Sequence, residues 1–197
     1  MSATLGIPAA HPGEWRTPSR GKIAMFALIT GESAIFTIFV VAYVFYIGKS
    51  VSGPTPQILE VPVFSTICLL SSSLTILLAE RAMARNRTNA FTLWLGATIG
   101  LGLTFLGGTA IEWHTLIYHD GLTISTNLFG TTYYSLVGLH ATHVIIGLVM
   151  LTVVFLFALA QRVKEQHAER IAVLAMYWHF VDAVWVVVFS VVYIIGR

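Results

Sequence analysis

Five long and nearly uncharged stretches dominate the pattern of apolar and polar positions along the chain. They are residues 23–47, 61–79, 91–111, 133–160 and 171–195. Each is long enough to cross a hydrocarbon core of roughly 30 Å, because a helix needs about 20 residues for that distance. None alternates apolar and polar residues as membrane β-strands do. The pattern therefore predicts an all-α fold, a bundle of five transmembrane helices.

The segments between these stretches are too short to separate domains, and no internal repeat is visible. We therefore expect a single five-helix domain over residues 23–197. Residues 1–22 are polar and rich in Pro, Gly and Ala, and they are expected to form an N-terminal arm. The arm lacks the apolar core of a signal peptide, so the first helix is expected to direct insertion into the membrane.

The basic residues lie mostly at one end of the predicted helices. Nine of them precede helix 1 or lie between helices 2 and 3 or helices 4 and 5: Arg16, Arg20, Lys22, Arg81, Arg85, Arg87, Arg162, Lys164 and Arg170. The opposite end has only Lys49 and Arg197. By the positive-inside rule, this distribution predicts a cytoplasmic N-terminus and a C-terminus outside.

The composition agrees with a membrane protein and excludes several other classes. Of the 197 residues, 56% are hydrophobic and 10% are charged, whereas soluble domains carry roughly 25% charged residues. The mean hydropathy is +0.81. A net charge of +2 is too small to indicate a nucleic-acid partner. The single cysteine, Cys68, excludes a disulfide or a cysteine-based metal framework within the chain.

Ionisable residues within the predicted spans are the candidates for function, since lipid disfavours them. Glu32 lies near the middle of helix 1, where an ionised carboxylate costs roughly 2.5–3.5 kcal/mol. His140 and His143 share one face of helix 4, and His179 and Asp182 share one face of helix 5. All five fall in a central slab of the membrane, which predicts a buried polar network at a helix junction. For Glu32, a neutral interhelical hydrogen bond and a proton-exchanging role both remain open.

A metal site is the competing interpretation of this cluster, because His, Asp and Glu side chains are common ligands. Nothing in their spacing forces them to converge, however, and Trp178 and Trp185 crowd the same face of helix 5. Helices 1, 2 and 3 contain no histidine that could pair with another across a haem. We therefore predict that this chain binds no metal and no haem.

Two further features are predicted to serve packing and anchoring. Glu112 and Trp113 stand at the outer end of helix 3, where an acidic tip and an aromatic ring suit the membrane interface. Gly96 and Gly100 form a G-xxx-G pair, which is typical of a surface for close approach of another helix or a lipid chain.

Several of these residues lie in longer motifs that resemble a known family. Trp178-His179-Phe180, Asp182 and Trp185 match W-H-F-x-D-x-x-W, and Gly138–Gly147 is similar to G-x-H-G-x-H-V-x-x-G. Leu59–Pro62 with Ser65-Thr66 resembles L-x-x-P-x-x-N-T. These motifs belong to subunit III of the haem–copper respiratory oxidases, and the resemblance covers about residues 20–197. With five helices, the chain looks like the bacterial form.

This resemblance implies a non-redox subunit of an oxidase that reduces dioxygen to water and pumps protons, with cytochrome c or quinol as electron donor. The haems and copper would lie in partner subunits, and this chain would bind phospholipids. Subunit I would be its main contact, followed by subunit II and small subunits, all in the bacterial inner membrane. Glu32 stands in the position of the family's intramembrane glutamate. It would support proton uptake through a network with histidines of helices 4 or 5, without being catalytic.

Two alternatives remain open from the sequence. Accessory proteins of nitric oxide reductases resemble subunit III and share its helix 4 and helix 5 motifs. A stand-alone proton channel or transporter using Glu32, His143 and Asp182 belongs to a different class. Transporters of that kind are expected to have broken helices or internal symmetry, and neither is visible here.

Overall fold

The computed structural model describes residues 19–50 and 52–196, and five long helices account for most of them. These are α1 (Arg20–Tyr46), α2 (Val63–Ala84), α3 (Thr88–Tyr118), α4 (Leu128–Leu159) and α5 (Ala168–Phe189), which continues as a π-helix over Ser190–Ile195. Short 3₁₀ helices lie at Pro56–Ile58 and Glu165–His167. No residue in the described ranges is in a β-strand. All five helices are long and apolar enough to cross a membrane, so the predicted all-α, five-helix fold is confirmed.

The helix ends differ from the predicted ends because helical hydrogen bonding continues beyond the apolar runs. The helix α3 extends to Tyr118, so Glu112 lies within it, and α4 begins at Leu128. At the N-terminus, Ser19 caps α1 by accepting a hydrogen bond from the backbone N–H of Lys22 at 3.4 Å. The end of the predicted arm therefore belongs to α1, and residues 1–18 lie outside the described residues.

The helices α2 and α4 end in the same kind of turn. Asn86 and Gln161 adopt left-handed conformations, with φ of 56° and 54°. In each case the next backbone N–H bonds back to the helix, from Arg87 to the carbonyl of Ala82 (2.9 Å) and from Arg162 to that of Phe157 (3.0 Å). This is the Schellman arrangement. It places a basic residue immediately after the last turn of both helices.

Helices α2, α3, α4 and α5 form a four-helix bundle, and α1 packs on its outside. The contacts run from α2 to α3, from α3 to α4, and from α5 to both α2 and α4. The helix α1 touches α4 and α5 only over one narrow stripe, since Phe36 and Tyr43 are its only buried residues. The bundle is therefore closed, whereas most of α1 faces outward.

The core of the bundle is built around two tryptophans of α5. Trp178 and Trp185 are almost completely buried. Gly102 of α3 and Gly147 of α4 face the Trp178 indole; a Cβ atom at Gly147 would lie 2.9 Å from the ring. Only glycine leaves room there, so these two residues allow three helices to close around one indole.

Candidate functional site

Glu32 of α1 and His143 of α4 form an ion-pair contact between the outer helix and the bundle. Glu32 Oε2 lies 3.1 Å from His143 Nε2, and the Phe36 ring covers the imidazole at 5.0 Å between ring centroids. The side chain of His143 is 10% exposed and that of Glu32 is 25% exposed. His143 is therefore almost buried, whereas Glu32 keeps part of its side-chain surface exposed.

The other nitrogen of His143 determines what this pair can do. His143 Nδ1 lies 2.8 Å from the carbonyl oxygen of Leu139, which can only accept a hydrogen bond. Nδ1 therefore carries a hydrogen, and Nε2 either accepts one from the Glu32 carboxyl or carries a proton and donates to the carboxylate. The movement of one proton between Nε2 and Oε2 interconverts a neutral pair and an ion pair.

A second polar cluster lies between α2 and α5. Ser73 Oγ donates to Asp182 Oδ2 and lies 3.1 Å from His179 Nδ1. Nearby hydroxyl groups of α2 accept hydrogen bonds from the two indoles, Trp178 to Ser72 at 2.8 Å and Trp185 to Thr66 at 3.2 Å. The contact between α2 and α5 is thus a seam of hydroxyl groups facing indole, imidazole and carboxyl groups.

His140 lies apart from both clusters. Its side chain is fully buried, stacks on Trp185 with ring centroids 4.9 Å apart, and meets the edge of Phe105 at 5.7 Å. The five residues predicted to form one network are therefore found in three places. Glu32 pairs with His143, His179 and Asp182 share Ser73, and His140 lies between α3, α4 and α5.

Glu112 joins three elements at the end of the bundle opposite the turns that follow α2 and α4. Its Oε1 accepts hydrogen bonds from Tyr193, at 2.7 Å, and from Tyr133 of α4, at 3.1 Å. Tyr193 lies in the π-helix that follows α5. Beside this cluster, the Trp113 ring packs edge-on against Tyr134 at 5.2 Å. Glu112 thus crosslinks helix ends, in addition to standing at the predicted membrane interface.

The predicted glycine pair contributes unequally to packing. A Cβ atom at Gly96 would lie 3.1 Å from the Phe155 ring, so α3 and α4 approach closely there. At Gly100, nothing among the described residues lies within 4 Å of such an atom. The tightest contacts at the Trp178 indole are instead made by Gly102 and Gly147.

The sequence reasoning did not identify the hydroxyl partners of these clusters. Ser73, Ser72, Tyr133 and Tyr193 are uncharged and stand in apolar runs. The run of three serines that ends at Ser73 is the one signal that could have indicated a polar seam. Among the described residues, no three His, Cys, Asp or Glu side chains converge as metal ligands.

Comparison with known proteins identifies the family. The fold defines a multi-pass membrane protein with polar clusters between its helices. The family model for cytochrome c oxidase subunit III matches residues 22–197. The chain belongs to the cytochrome c oxidase subunit III family, which confirms the resemblance inferred from the helix 4 and helix 5 motifs.

Named relatives cover nearly the whole chain. Cytochrome c oxidase subunit 3 of Alkalihalophilus pseudofirmus is 34% identical over 100% of this chain and 97% of the relative. Cytochrome c oxidase subunit 3 of Bacillus sp. PS3 is 32% identical, over 96% and 93%. Cytochrome bo(3) ubiquinol oxidase subunit 3 of Pseudomonas aeruginosa is 32% identical, over 84% and 80%. The relatives thus include subunits of both kinds of oxidase, and membership of this family implies partner subunits.

Proposed function

We propose that this chain is the non-redox third subunit of a haem–copper terminal oxidase, which reduces dioxygen to water with electrons from cytochrome c or a quinol. Haems and copper belong to the partner subunits in this proposal. The chain itself supports assembly, proton uptake and stability during turnover. The family membership of the chain supports this function. The Glu32–His143 pair is the observation that supports its role in proton uptake.

The pair has the properties that a proton-exchanging group requires. The neutral pair and the ion pair differ in whether one proton is bound to Glu32 Oε2 or to His143 Nε2, 3.1 Å apart. A quarter of the Glu32 side-chain surface is not covered by this chain, so a proton donor or acceptor from outside the chain can reach the carboxyl group. The Phe36 ring packs against the imidazole of His143, which is 10% exposed.

We also propose a cellular location and a membrane orientation for the chain. The chain lies in the bacterial inner membrane with its N-terminus in the cytoplasm and its C-terminus outside. The uneven distribution of basic residues supports this orientation, because the turns after α2 and α4 both carry arginine. Subunit I is proposed as the main contact, with subunit II and small subunits as further partners. The outward face of α1 is long and apolar enough for such a contact.

Phospholipid binding is proposed at the basic end of α4 and α5. A cavity of about 340 Å³ there is lined by Arg162, His167 and Arg170 and by the apolar residues Val154, Phe157 and Ile171. The arginines suit a phosphate headgroup, and the apolar residues suit the start of an acyl chain. An anionic phospholipid fits this combination.

The function is tested by purifying the chain from its native membrane in mild detergent. We expect reduced-minus-oxidised haem bands in the visible spectrum, and a large many-helix subunit among the co-purifying chains identified by mass spectrometry. Phospholipid should be found in the same preparation. A colourless preparation of the chain alone would overturn the proposal and favour an accessory protein or a channel. Nitric oxide reductase subunits among the partners would favour the first of these.

The role of Glu32 is tested in the same complex with Glu32→Gln. Glutamine preserves the size and a hydrogen bond to His143 but cannot release a proton. We expect normal assembly and initial activity, followed by activity loss several-fold faster than in the wild type during sustained turnover. Glu60→Gln, in the exposed segment before α2, is the matched control and should behave as the wild type. Equal lifetimes for Glu32→Gln and the wild type would contradict a proton-exchanging role.

A further inference from the structure

Two polar groups in the centre of the bundle have no protein partner. Neither ring nitrogen of His140 has a hydrogen-bond partner among the described residues, and its side chain is fully buried. Asp182 is 3% exposed, and its Oδ1 likewise has no partner in that part of the chain. Buried polar atoms of this kind are usually satisfied by ordered water that makes two to four hydrogen bonds.

The two groups border the same indole. The His140 imidazole stacks on Trp185 with an interplanar angle of 30°. Asp182 lies three residues before Trp185 on α5, so their Cβ atoms are about 5–6 Å apart on one helix face. The Trp185 N–H donates to Thr66 on α2 and is therefore not available to either group.

We propose that ordered water occupies a site between α4 and α5 beside Trp185 and bridges His140 to Asp182 Oδ1. The other carboxyl oxygen, Asp182 Oδ2, already accepts from Ser73, whose hydroxyl oxygen lies 3.1 Å from His179 Nδ1. The water thus completes a hydrogen-bonded chain from His140 through Asp182 and Ser73 to His179. This chain is separate from the Glu32–His143 pair, because His143 points to α1.

The sign of the change in melting temperature caused by His140→Phe distinguishes a core with bridging water from a core without it. Without water, His140→Phe removes two unsatisfied nitrogens from the core and should raise the melting temperature. With bridging water, the same change leaves Asp182 Oδ1 without a partner and should lower the melting temperature. We expect the decrease in the wild-type background and no decrease when Asp182→Leu is already present. His114→Phe, at an exposed position of α3, serves as the control and should leave the melting temperature unchanged.

The measurement uses the chain purified from its native membrane with whatever subunits accompany it, so it does not depend on their identity. A rise in melting temperature for His140→Phe in both backgrounds would overturn the proposal. If the variants fail to assemble, a high-resolution cryo-electron microscopy map of the wild-type preparation decides instead. Density within hydrogen-bond distance of both His140 and Asp182 Oδ1 supports the site, and its absence from a map that resolves other buried waters contradicts it.

Discussion

The four-helix bundle and α1, the helix that packs on its outside, differ in how deeply they bury an acidic side chain. In the bundle, Asp182 is only 3% exposed and accepts a hydrogen bond from Ser73 of α2. On α1, Glu32 has one partner, His143, and keeps a quarter of its side-chain surface open. Both are carboxyl groups within membrane-spanning helices. Enclosure suits a group that holds helices together, whereas partial exposure suits the proton-exchanging role proposed for Glu32.

The difference follows from how each helix is packed. The helix α5 touches α1, α2 and α4, so most positions along it meet a neighbour. The helix α1 has only Phe36 and Tyr43 buried, and a side chain next to that stripe remains partly exposed. The exposure of Glu32 is therefore a consequence of sparse packing, and the proton exchange proposed there should be separable from the stability of the bundle.

The largest effect is expected from Trp178→Ala. This change empties the space beside Gly102 and Gly147 and leaves Ser72 without its indole donor. Truncation of a buried tryptophan typically costs about 3–5 kcal/mol, and thermal or denaturant unfolding of the purified complex measures that loss. Phe64→Ala near the start of α2 is the control, with an expected loss well below this range, since Phe64 is exposed and lies outside the face of α1 proposed to contact subunit I. Similar losses for the two variants would contradict the central role of Trp178 in the bundle.

A smaller effect is expected from Gly147→Ala. The new methyl group would lie 2.9 Å from the Trp178 ring, so the helices must separate, at a cost of about 1–3 kcal/mol in the free energy of unfolding. Gly100→Ala is matched in chemistry but has open space around it. It should stabilise α3 by about 0.5–1 kcal/mol, because alanine favours a helix over glycine. Unfolding curves of the two variants should shift in opposite directions, and shifts of the same sign would contradict the packing described here.

The smallest effect is expected from Tyr193→Phe. It removes one of the two hydrogen bonds accepted by Glu112 while keeping the ring, and a typical hydrogen bond contributes about 0.5–1.5 kcal/mol. Tyr118→Phe at the exposed end of α3 should change the free energy of unfolding by less. Because Glu112 belongs to the bundle, Tyr193→Phe should leave the loss of activity during sustained turnover as in the wild type. A change in that rate would link the Glu112 cluster to the Glu32–His143 pair.

The five spans could be predicted from the sequence because long apolar runs with few charges are typical of membrane-spanning helices. The helix ends could not be predicted, because hydropathy indicates only the part of a helix that lies in the hydrocarbon core, and a helix can continue beyond it. Glu112 illustrates this difference. It stands just after an apolar run, yet it lies within α3, which continues to Tyr118, and it accepts hydrogen bonds from two tyrosines.

The division of the polar residues among three places could not be derived from spacing alone. Positions three apart on a helix differ by about 60° around its axis. Because α4 touches α1, α3 and α5, that angle is enough to direct His143 toward α1 and His140 toward Trp185. His179 and Asp182 have the same spacing on α5, and both reach Ser73 on α2. Which neighbour lies on which side is a tertiary property.

The sequence separation of the Glu32–His143 pair has a consequence for the synthesis of the protein. The two residues are 111 positions apart, which corresponds to roughly 5–20 s of translation at 5–20 residues per second. During that interval α1 is in the membrane while its histidine has not yet been made. For Asp182 the order is reversed, because its partner Ser73 is synthesised 109 residues earlier. Glu32 is therefore synthesised before its hydrogen-bond partner, whereas Asp182 is synthesised after its partner.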